Sequence, residues 1–466
     1  MAINLGDRLR EVISGAVPQT TPYPAPQRAA PLRSPRPVDL RRVAEILAGE
    51  WIESSAGSVV VVDRYYTPDR AHGRERIGQV VETLEAGGDS LAVLARAWPG
   101  RQPSAYTPRM CFLDLETTGL AGGAGTQAFL VGSAILEDGG LRLRQFLLPG
   151  FEHERALLSM VAGWTASQGT LVTFNGRTFD APLIETRYLL HRLSFPLGEM
   201  PHLDMLHPAR RLWKQRPTIA GPALDDDSCR LSVLERHLAG YHRVGDVPGF
   251  EIPSRYFRFV RDGDAHPLAA VLEHNRIDLI SLALVTARAL RMIREGPHST
   301  CHPRECLGLG RLYERAGVLD NAEACFAQAA SLAARTGREP DVRADALRRL
   351  AWLRRRAGRR AEAASAWQEL VDVGGCPAIL RREAREALAI HHEHRSRDLA
   401  TARTFVLDVL AEGTTQRSRA QAEYRLRRIE RKMERSTVYG PRPTVGGGST
   451  KTPENLRLPW TVDRGP

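Results

Sequence analysis

The hydrophobic pattern of this 466-residue chain changes near residue 300, and that change limits the folds that the chain can adopt. Between about residues 109 and 293, apolar runs typical of strands alternate with segments of helical spacing. The candidate strands are MCFLDLETT, AFLVGSAIL, LRLRQFLL and TLVTFNG. Three strands in close succession, followed by strands alternating with helices, predict a mixed α/β sheet flanked by helices. After residue 300 the pattern is helical throughout.

The region after residue 300 contains three similar segments, each with the pattern of helix, short turn and helix. The second helix of each segment carries an aromatic residue, at Phe326, Trp367 and Phe405, which are 41 and 38 residues apart. The segments resemble tetratricopeptide-type repeats, although their spacing exceeds the usual length of about 34 residues and Thr401 replaces a small residue. Because such hairpins cannot bury their apolar faces alone, we expect them to stack.

The composition excludes several classes of protein. The sequence has no apolar run of about 18 residues that could span a membrane, and its first residues lack the apolar stretch of a signal peptide. We therefore expect a cytoplasmic protein without a membrane partner. The net charge of +11 favours a polyanion such as nucleic acid, but arginine so outnumbers lysine that genome composition also explains the excess.

Two acidic residues stand at the end of the first strand of the α/β region. Asp114 and Glu116, in the run LDLETTGL, are two residues apart, so their side chains project from the same face of the strand. Two neighbouring carboxylates repel each other unless a divalent cation lies between them. A lone D-x-E occurs by chance, and the longer run is the more specific feature.

Two predicted helices carry further candidate residues. Asp180 falls in the first turn of the helix after TLVTFNG, where an acid also favours the helix dipole without any other role. His274 and Asp278 are four residues apart and share one helical face, which an ordinary i,i+4 pair also explains.

One mechanism accounts for all of these residues. Carboxylates from the predicted strands and helices could bind two divalent ions about 4 Å apart, which activate a water and stabilise the leaving oxygen in phosphodiester hydrolysis. Oxygen ligands favour Mg²⁺ or Mn²⁺ over zinc. His274 is the candidate general base because histidine ordinarily titrates near neutral pH.

Three motifs in this order resemble the DEDD superfamily of ribonuclease-H-like 3′–5′ exonucleases. They are DLETTG from Asp114, FNGRTFD ending at Asp180, and H-x-x-x-D from His274 to Asp278. Residues 202–214 and 252–256 are similar to the YprB-like branch in particular. The resemblance covers about residues 105–293 and implies that Asp114, Glu116, Asp180 and Asp278 bind the metal ions. One feature departs from the superfamily, because histidine here stands at the spacing where a tyrosine is usual.

The segment after the first strand and the turn before Asp180 supply candidate substrate contacts. These candidates are Thr117, Thr118, Gly119, Leu120, Asn175 and Gln127, with Thr126 beside them. Asn175 could instead be a turn residue only. Asp204, at the end of the candidate strand PHLDML, is either a supporting acid or a strand-end residue bonded to the backbone.

The helical region has 27 basic and 19 acidic residues between positions 301 and 435. Its basic clusters lie at 354–356, 359–360, 381–382 and 425–432. Solvated helix faces would explain them, and so would a groove that guides a phosphate backbone.

We predict five segments along the chain. They are an N-terminal helix and Pro/Arg-rich linker (1–38), a small appended α+β segment (39–104), a ribonuclease-H-like exonuclease domain (105–295), tetratricopeptide-like helical repeats (301–435) and a disordered tail (436–466). The predicted protein is a metal-dependent nuclease and, by resemblance, a 3′–5′ exonuclease on single-stranded ends of DNA or RNA. A protein partner could bind the repeats. The alternatives are an adaptor whose ribonuclease-H-like domain binds nucleic acid without cleaving it, and an α/β domain with ordinary surface acids.

Overall fold

A mixed sheet followed by helices makes up the protein, which confirms the predicted fold class. The computed structural model describes residues 39–96, 106–119, 125–214, 229–412 and 416–438. The predicted N-terminal helix and linker, and the predicted tail beyond residue 438, lie outside the described residues. None of the helices in the described part is long and apolar enough to cross a bilayer.

The strands in the described ranges form a seven-stranded sheet and a small two-stranded one. They are β1 (Glu50–Ser54), β2 (Gly57–Tyr66), β3 (Ala71–His72), β4 (Glu75–Arg76), β5 (Met110–Thr117), β6 (Ala128–Glu137), β7 (Gly140–Leu147), β8 (Thr170–Thr173) and β9 (His202–Asp204). The large sheet has the order β1-β2-β7-β6-β5-β8-β9. The pairs from β1 to β5 are antiparallel, whereas β5, β8 and β9 run parallel.

The helices cover both faces of the sheet and then continue alone. They are α1 (Leu40–Ile46), α2 (Ile77–Glu85), α3 (Gly88–Arg96), α4 (Glu154–Thr165), α5 (Asp180–Leu190), α6 (Pro196–Glu199), α7 (Leu206–Leu212), α8 (Leu231–Ala239), α9 (Ile252–Asp262), α10 (His266–Glu295), α11 (Pro303–Ala316), α12 (Leu319–Thr336), α13 (Pro340–Arg356), α14 (Arg360–Val371), α15 (Ala378–His391), α16 (Leu399–Ala411) and α17 (Gln416–Val438).

The central strand β5 is buried on both faces. Met110 and Phe112 pack into one hydrophobic core, and the alternate residues Cys111 and Leu113 pack into the other. All four side chains are almost fully buried. A strand covered on both sides is apolar at successive positions, which explains the unbroken apolar run in the sequence before Asp114.

The long helix α10 lies close to the sheet where β6 carries Gly132. A Cβ atom at Gly132 would lie 2.1 Å from Oδ1 of Asn275 on α10, so any larger residue there would displace the carboxamide of Asn275. Gly132 is also the residue of β6 that pairs with Asp114 of β5. The glycine therefore lets α10 approach the strand pair beside the first candidate acid.

The segment predicted as an appended unit, 39–104, contributes to the main sheet. β2 pairs with β7 in an antiparallel ladder that runs from Val60 opposite Leu147 to Tyr66 opposite Leu141. The sheet thereby extends beyond the strands between residues 110 and 204. The boundaries between the domains stay predictions.

The C-terminal helices form successive hairpins, as the sequence pattern predicts. α11 pairs with α12, α13 with α14, and α15 with α16. Gly317 and Gly358, in the turns of the first two hairpins, have φ angles of 80° and 79°, which favour glycine. The predicted aromatic positions Phe326 and Trp367 are buried, and Phe405 packs partly buried beside them.

The first hairpin packs directly on the α/β part of the chain. α11 contacts α7, and a Cβ atom at Gly308 would lie 2.1 Å from the carbonyl oxygen of Arg211. One hydrophobic core includes Leu212 of α7 as well as Leu307 and Leu309 of α11. The sheet and the first repeats are thus joined by continuous packing.

Candidate active site

The structure brings together the four acids that the sequence singles out. Asp114 and Glu116 lie at the carboxyl end of β5, Asp180 is the first residue of α5, and Asp278 lies within α10. The neighbouring parallel strand β8 leads into α5, so Asp180 reaches the same edge of the sheet as β5. The crevice outside the carboxyl ends of parallel strands is the usual position of a site in such a sheet.

The four carboxylates act on one another electrostatically. Burial, followed by the charges of Asp278, Glu116 and Asp180, raises the pKa of Asp114 well above its usual range. Burial and the charges of Asp278 and Asp180 also raise the pKa of Glu116. Burial and the nearby Asp204 raise the pKa of Asp180 to about 7. The site therefore concentrates negative charge that is poorly compensated.

This set of side chains suits a hard divalent cation. The donors are carboxylate oxygens, and a cation such as Mg²⁺ or Mn²⁺ would relieve the repulsion that adds to burial in raising the pKa of Asp114 and Glu116. Within the described ranges, however, no group of three or more His, Cys, Asp or Glu side chains has the arrangement of a metal site. Asp114 and Asp278 instead make hydrogen bonds to Asn275 and Arg243.

Asn275 on α10 holds the carboxylate of Asp114. Its Nδ2 donates to Oδ2 of Asp114 over 2.8 Å and to the Asp114 carbonyl oxygen over 3.2 Å. Its Oδ1 accepts from Nε2 of Gln145 on β7 over 2.9 Å, and Gln145 also donates to the carbonyl oxygen of Leu272. Asn275 and Gln145 are almost fully buried. This network fixes the position of one candidate ligand.

Arg243 holds Asp278 in the same way. Its Nη2 lies 2.5 Å from Oδ1 of Asp278 and 2.7 Å from Oε2 of Glu235, and both Arg243 and Glu235 are buried. The guanidinium also contacts Asp246 over 3.3 Å. A buried arginine that bridges several carboxylates fixes the position of Asp278 through a charge-assisted hydrogen bond.

His274 lies between two carboxylates. Its Nδ1 is 2.6 Å from Oδ1 of Asp246, and its Nε2 is 3.5 Å from Oδ2 of Asp278. Burial would raise the pKa of Asp246, but the hydrogen bond with His274 and the charges of His274 and Arg243 lower it. An ionised Asp246 behind the ring orients the imidazole and leaves its other nitrogen towards the acids, as a general base requires.

Asp204 organises the turn before Asp180. Its carboxylate accepts backbone N–H groups from Asn175 over 2.8 Å, Arg177 over 3.1 Å and Leu206 over 3.1 Å. Of the two roles considered for Asp204, the structure therefore supports bonding to the backbone. Asn175 has a φ angle of 71°, which suits a tight turn, and its Oδ1 accepts from Thr178.

The predicted substrate contacts beside β5 close the β5–β6 connection. Oγ1 of Thr117 donates to the carbonyl oxygen of Gly119 over 2.9 Å, and Oγ1 of Thr118 accepts from the backbone N–H of Gln127 over 3.0 Å. Thr126 is buried. Leu120 lies outside the described residues. The structure thus shows local roles for these residues, and their contact with a substrate stays a prediction.

Comparison with known proteins identifies the segment that contains the site. Residues 111–290 match a family model described as the RNase_H superfamily. Residues 111–290 form an RNase H-like domain. This match includes Asp114, Glu116, Asp180 and Asp278, and it confirms the predicted family of the domain.

A relative from Bacillus subtilis (strain 168), the "Uncharacterized protein YprB", is similar to this chain. The two are 34% identical over 203 residues, which are 43% of this chain and 47% of the relative. The match thus spans about half the length of that relative. The predicted YprB-like character of the RNase H-like domain is confirmed.

The residues that hold the candidate acids and His274 were not predicted from the sequence; they are Asn275, Gln145, Arg243, Glu235 and Asp246. Asn275 did leave a signal: it lies on the apolar face of α10, four residues before Leu279, where a polar side chain needs a partner. Arg243 and Asp246 lie in the segment after α8, where helical or strand periodicity offers no signal.

Proposed function

We propose that this chain is a metal-dependent nuclease that hydrolyses phosphodiester bonds of nucleic acid, acting from the 3′ end on single strands. The proposal is carried by one observation: three separate elements of an RNase H-like domain bring four carboxylates to one edge of the sheet, where the charges of Asp180 and Asp278 act on buried Asp114 and Glu116. Acids without a shared role would not be expected to cluster, because uncompensated negative charges that lie close together destabilise a folded protein.

The proposed ligands of the ions are the four acids. Two Mg²⁺ or Mn²⁺ ions, when bound, would lower the pKa of a water and stabilise the leaving oxygen. Asn275 and Arg243 would not contact the ions themselves. Asn275 would hold Asp114 in position and Arg243 would hold Asp278, each through a hydrogen bond. Polar partners of this kind orient metal ligands and raise their affinity for the ion.

The proposed general base is His274. It accepts the proton of the attacking water at Nε2, while its Nδ1 hydrogen bond to Asp246 stabilises the imidazolium that forms. The ring stands four residues before Asp278 on α10, so helix geometry places it beside the last acid. The unusual spacing in the sequence is thus compatible with this role.

A nucleotide-release assay tests the proposal. Full-length protein is given 5′-labelled single-stranded and double-stranded DNA and RNA, with and without Mn²⁺. We expect stepwise shortening from the 3′ end that requires Mn²⁺. Asp114→Asn should lower the rate by about 100-fold or more, since even mutation of a residue that only hydrogen-bonds to a metal ligand lowers activity by about 10–100-fold. His274→Gln should lower kcat by about 10²–10⁴-fold.

Two outcomes would contradict the proposal. Equal release by wild type and Asp114→Asn would mean that the acids do not carry the activity. Binding of an oligonucleotide by wild type without release under any metal condition would favour an adaptor. An Asp264→Asn variant, changed at an exposed acid outside the site, serves as the control and should keep full activity.

A further inference from the structure

Each of the predicted basic clusters contains cations that pair with acids elsewhere in the helical repeats. Arg354 and Arg359 both contact Glu323, at 3.0 Å and 2.9 Å. Glu393 is almost fully buried and accepts from three cations of α17: Arg425, Arg428 and Lys432. Since these pairs tie one helix to the next, such cations are not available to an anionic ligand.

One cavity in the repeats differs from this pattern. It has a volume of about 330 Å³ and lies between α13, α14 and α15 and the turn of π-helix (His392–Ser396) that follows α15. The lining residues that can carry charge are all bases, and no acid lines it. We call it the repeat pocket. The residues that define it here are Arg355, Arg360, His391, His394, Arg395 and the buried Trp367.

The three arginines of the repeat pocket are exposed, and they form no ion pair with any residue that the structure describes. Arg355 and Arg360 directly follow Arg354 and Arg359, which are paired. The guanidinium of Arg355 lies 5.0 Å from the ring centroid of Trp352, a contact that orients it without neutralising its charge. In each of these two pairs of neighbours, the first arginine binds an acid and the second lines the cavity.

The two histidines of the repeat pocket add no negative charge to it, and the positive charge of its lining is that of the arginines. Burial and the positive charges of His392 and Arg395 lower the pKa of His391. His394 lies 3.4 Å from Glu393, but the three cations of α17 already compensate that carboxylate. The surroundings of the cavity therefore leave its positive charge uncompensated.

Phosphate is the chemical group that best matches such a lining. Guanidinium groups bind phosphate oxygens through two parallel hydrogen bonds and stay charged at every physiological pH. A volume of 330 Å³ is at the lower end of the range for ligand pockets, about 300–1,000 Å³, so it admits a short stretch of a strand rather than a folded domain.

We infer that the repeat pocket binds phosphate groups of the nucleic-acid strand whose end reaches the RNase H-like domain. This inference rests on the proposed function. It assigns substrate contacts to Arg355, Arg360 and Arg395, far along the chain from the acids. The repeats then hold the strand, and the domain at 111–290 acts on its end.

The test is the salt dependence of binding, measured by fluorescence anisotropy with labelled single-stranded DNA and RNA in the presence of a chelator. The variant Arg355→Gln/Arg360→Gln/Arg395→Gln is compared with Arg335→Gln/Arg338→Gln/Arg417→Gln. The control removes the same charge from exposed arginines outside the cavity. We expect the slope of log Kd against log salt to fall by about 2 in the pocket variant, since each phosphate contact on a single strand contributes about 0.7. The control should keep the wild-type slope.

Three results would overturn the inference. The two variants could lose the same slope, which would indicate unspecific charge. Both variants could keep the wild-type slope, which would show that the repeat pocket does not bind the strand. Inorganic phosphate could stabilise wild type but not the pocket variant in thermal unfolding, with oligonucleotide binding unchanged, which would assign the pocket to a small phosphorylated molecule.

The release assay separates this inference from the proposed function. If the inference is wrong and the function right, the pocket variant binds and shortens long oligonucleotides as wild type does. If the function is wrong, wild type releases nothing, whatever the slope shows. If both hold, the pocket variant releases nucleotides from a dinucleotide at the wild-type rate but loses efficiency on long strands.

Discussion

At the scale of single residues, the carboxamide of Asn275 connects the interior of the protein to the candidate site. It is buried between Gly132 of β6 and Gln145 of β7, and it reaches Asp114. An asparagine rather than an acid at this position donates to a carboxylate without adding a further negative charge. Asn275 is therefore a positioning residue for the proposed ligand.

Replacing Asn275 by leucine should separate positioning from stability. Asp114 and Gln145 would lose a buried partner, which costs about 1–3 kcal/mol in the free energy of unfolding. We also expect a 10–100-fold loss of Mn²⁺-dependent activity, with half-maximal activity at a higher Mn²⁺ concentration. Urea unfolding and Mn²⁺ titration of the activity measure the two effects.

Thr286→Val is the matched control for Asn275→Leu. Thr286 is equally buried on α10, and its hydroxyl donates over 2.8 Å to the carbonyl oxygen of Leu282 in the same helix instead of to an acid of the site. It should lower stability while leaving the Mn²⁺ requirement unchanged. If both variants need the same Mn²⁺ concentration, Asn275 has a structural role only.

At the scale of elements, the end of the repeats depends on the contact between the π-helical turn after α15 and helix α17. Burial alone would raise the pKa of Glu393, a residue of this turn, but hydrogen bonds from Arg428 and Lys432 lower its pKa to about 2. A carboxylate with a lower pKa in the folded than in the unfolded state stabilises the fold above its unfolded pKa. This stabilisation is lost as the pH falls from about 4.5 towards 2.

Glu393→Gln should therefore destabilise the repeats at neutral pH and much less in acid. We expect a loss of about 1.5–3 kcal/mol at pH 7, the range for hydrogen bonds to a charged group. The difference from wild type should shrink steadily below about pH 4.5. Urea unfolding followed by circular dichroism at several pH values measures it.

The control for Glu393→Gln is Glu430→Gln. Glu430 pairs with Arg403 at the surface, where an ion pair contributes about 0–1 kcal/mol. A constant difference between wild type and Glu393→Gln at all pH values would show that the charge of Glu393 does not stabilise the contact.

The periodicity of the sequence predicted the elements, but not the contacts between them. The strand before Asp114 and the helix from Asp180 are evident because apolar burial imposes a local repeat. Arg243 holds Asp278 from a segment without such a repeat, 35 residues earlier in the chain. A contact of this kind depends on the folded arrangement of several elements and leaves no local pattern.

The clustering of the acids was predictable because each acid lies in a recognisable sequence motif. Which arginines of the repeats pair with an acid and which line the cavity was not predictable. Arg354 and Arg355 are neighbours in one run of three arginines, yet Arg354 binds Glu323 and Arg355 lines a cavity. The helix points adjacent side chains in directions about 100° apart, so the partner of each depends on which hairpin packs beside it.

At the scale of the whole molecule, the repeats and the sheet are joined where α11 meets α7. Gly308 allows the two helices to touch, because a Cβ atom there would overlap the backbone at Arg211 and Leu212. α7 directly follows the strand that ends at Asp204, so this junction also supports the turn before Asp180. The position of the repeats thus bears on the site.

Gly308→Ala should destabilise this junction. Backbone atoms cannot move aside cheaply, so we expect a loss of about 1–3 kcal/mol, the usual cost of overpacking. Gly374→Ala, where no atom lies within 4 Å of the added Cβ, should have little effect. Chemical denaturation measures both. Equal stability of Gly308→Ala and wild type would show that α11 does not pack on α7 in solution.

A calorimetric titration of the intact protein with Mn²⁺ tests most directly whether the four acids bind divalent ions. We predict that about two ions bind per chain, and that Asp114→Asn weakens this binding while Asp264→Asn leaves it unchanged. Binding that is absent in wild type, or the same in Asp114→Asn as in wild type, would contradict the claim that Asp114, Glu116, Asp180 and Asp278 together hold divalent ions.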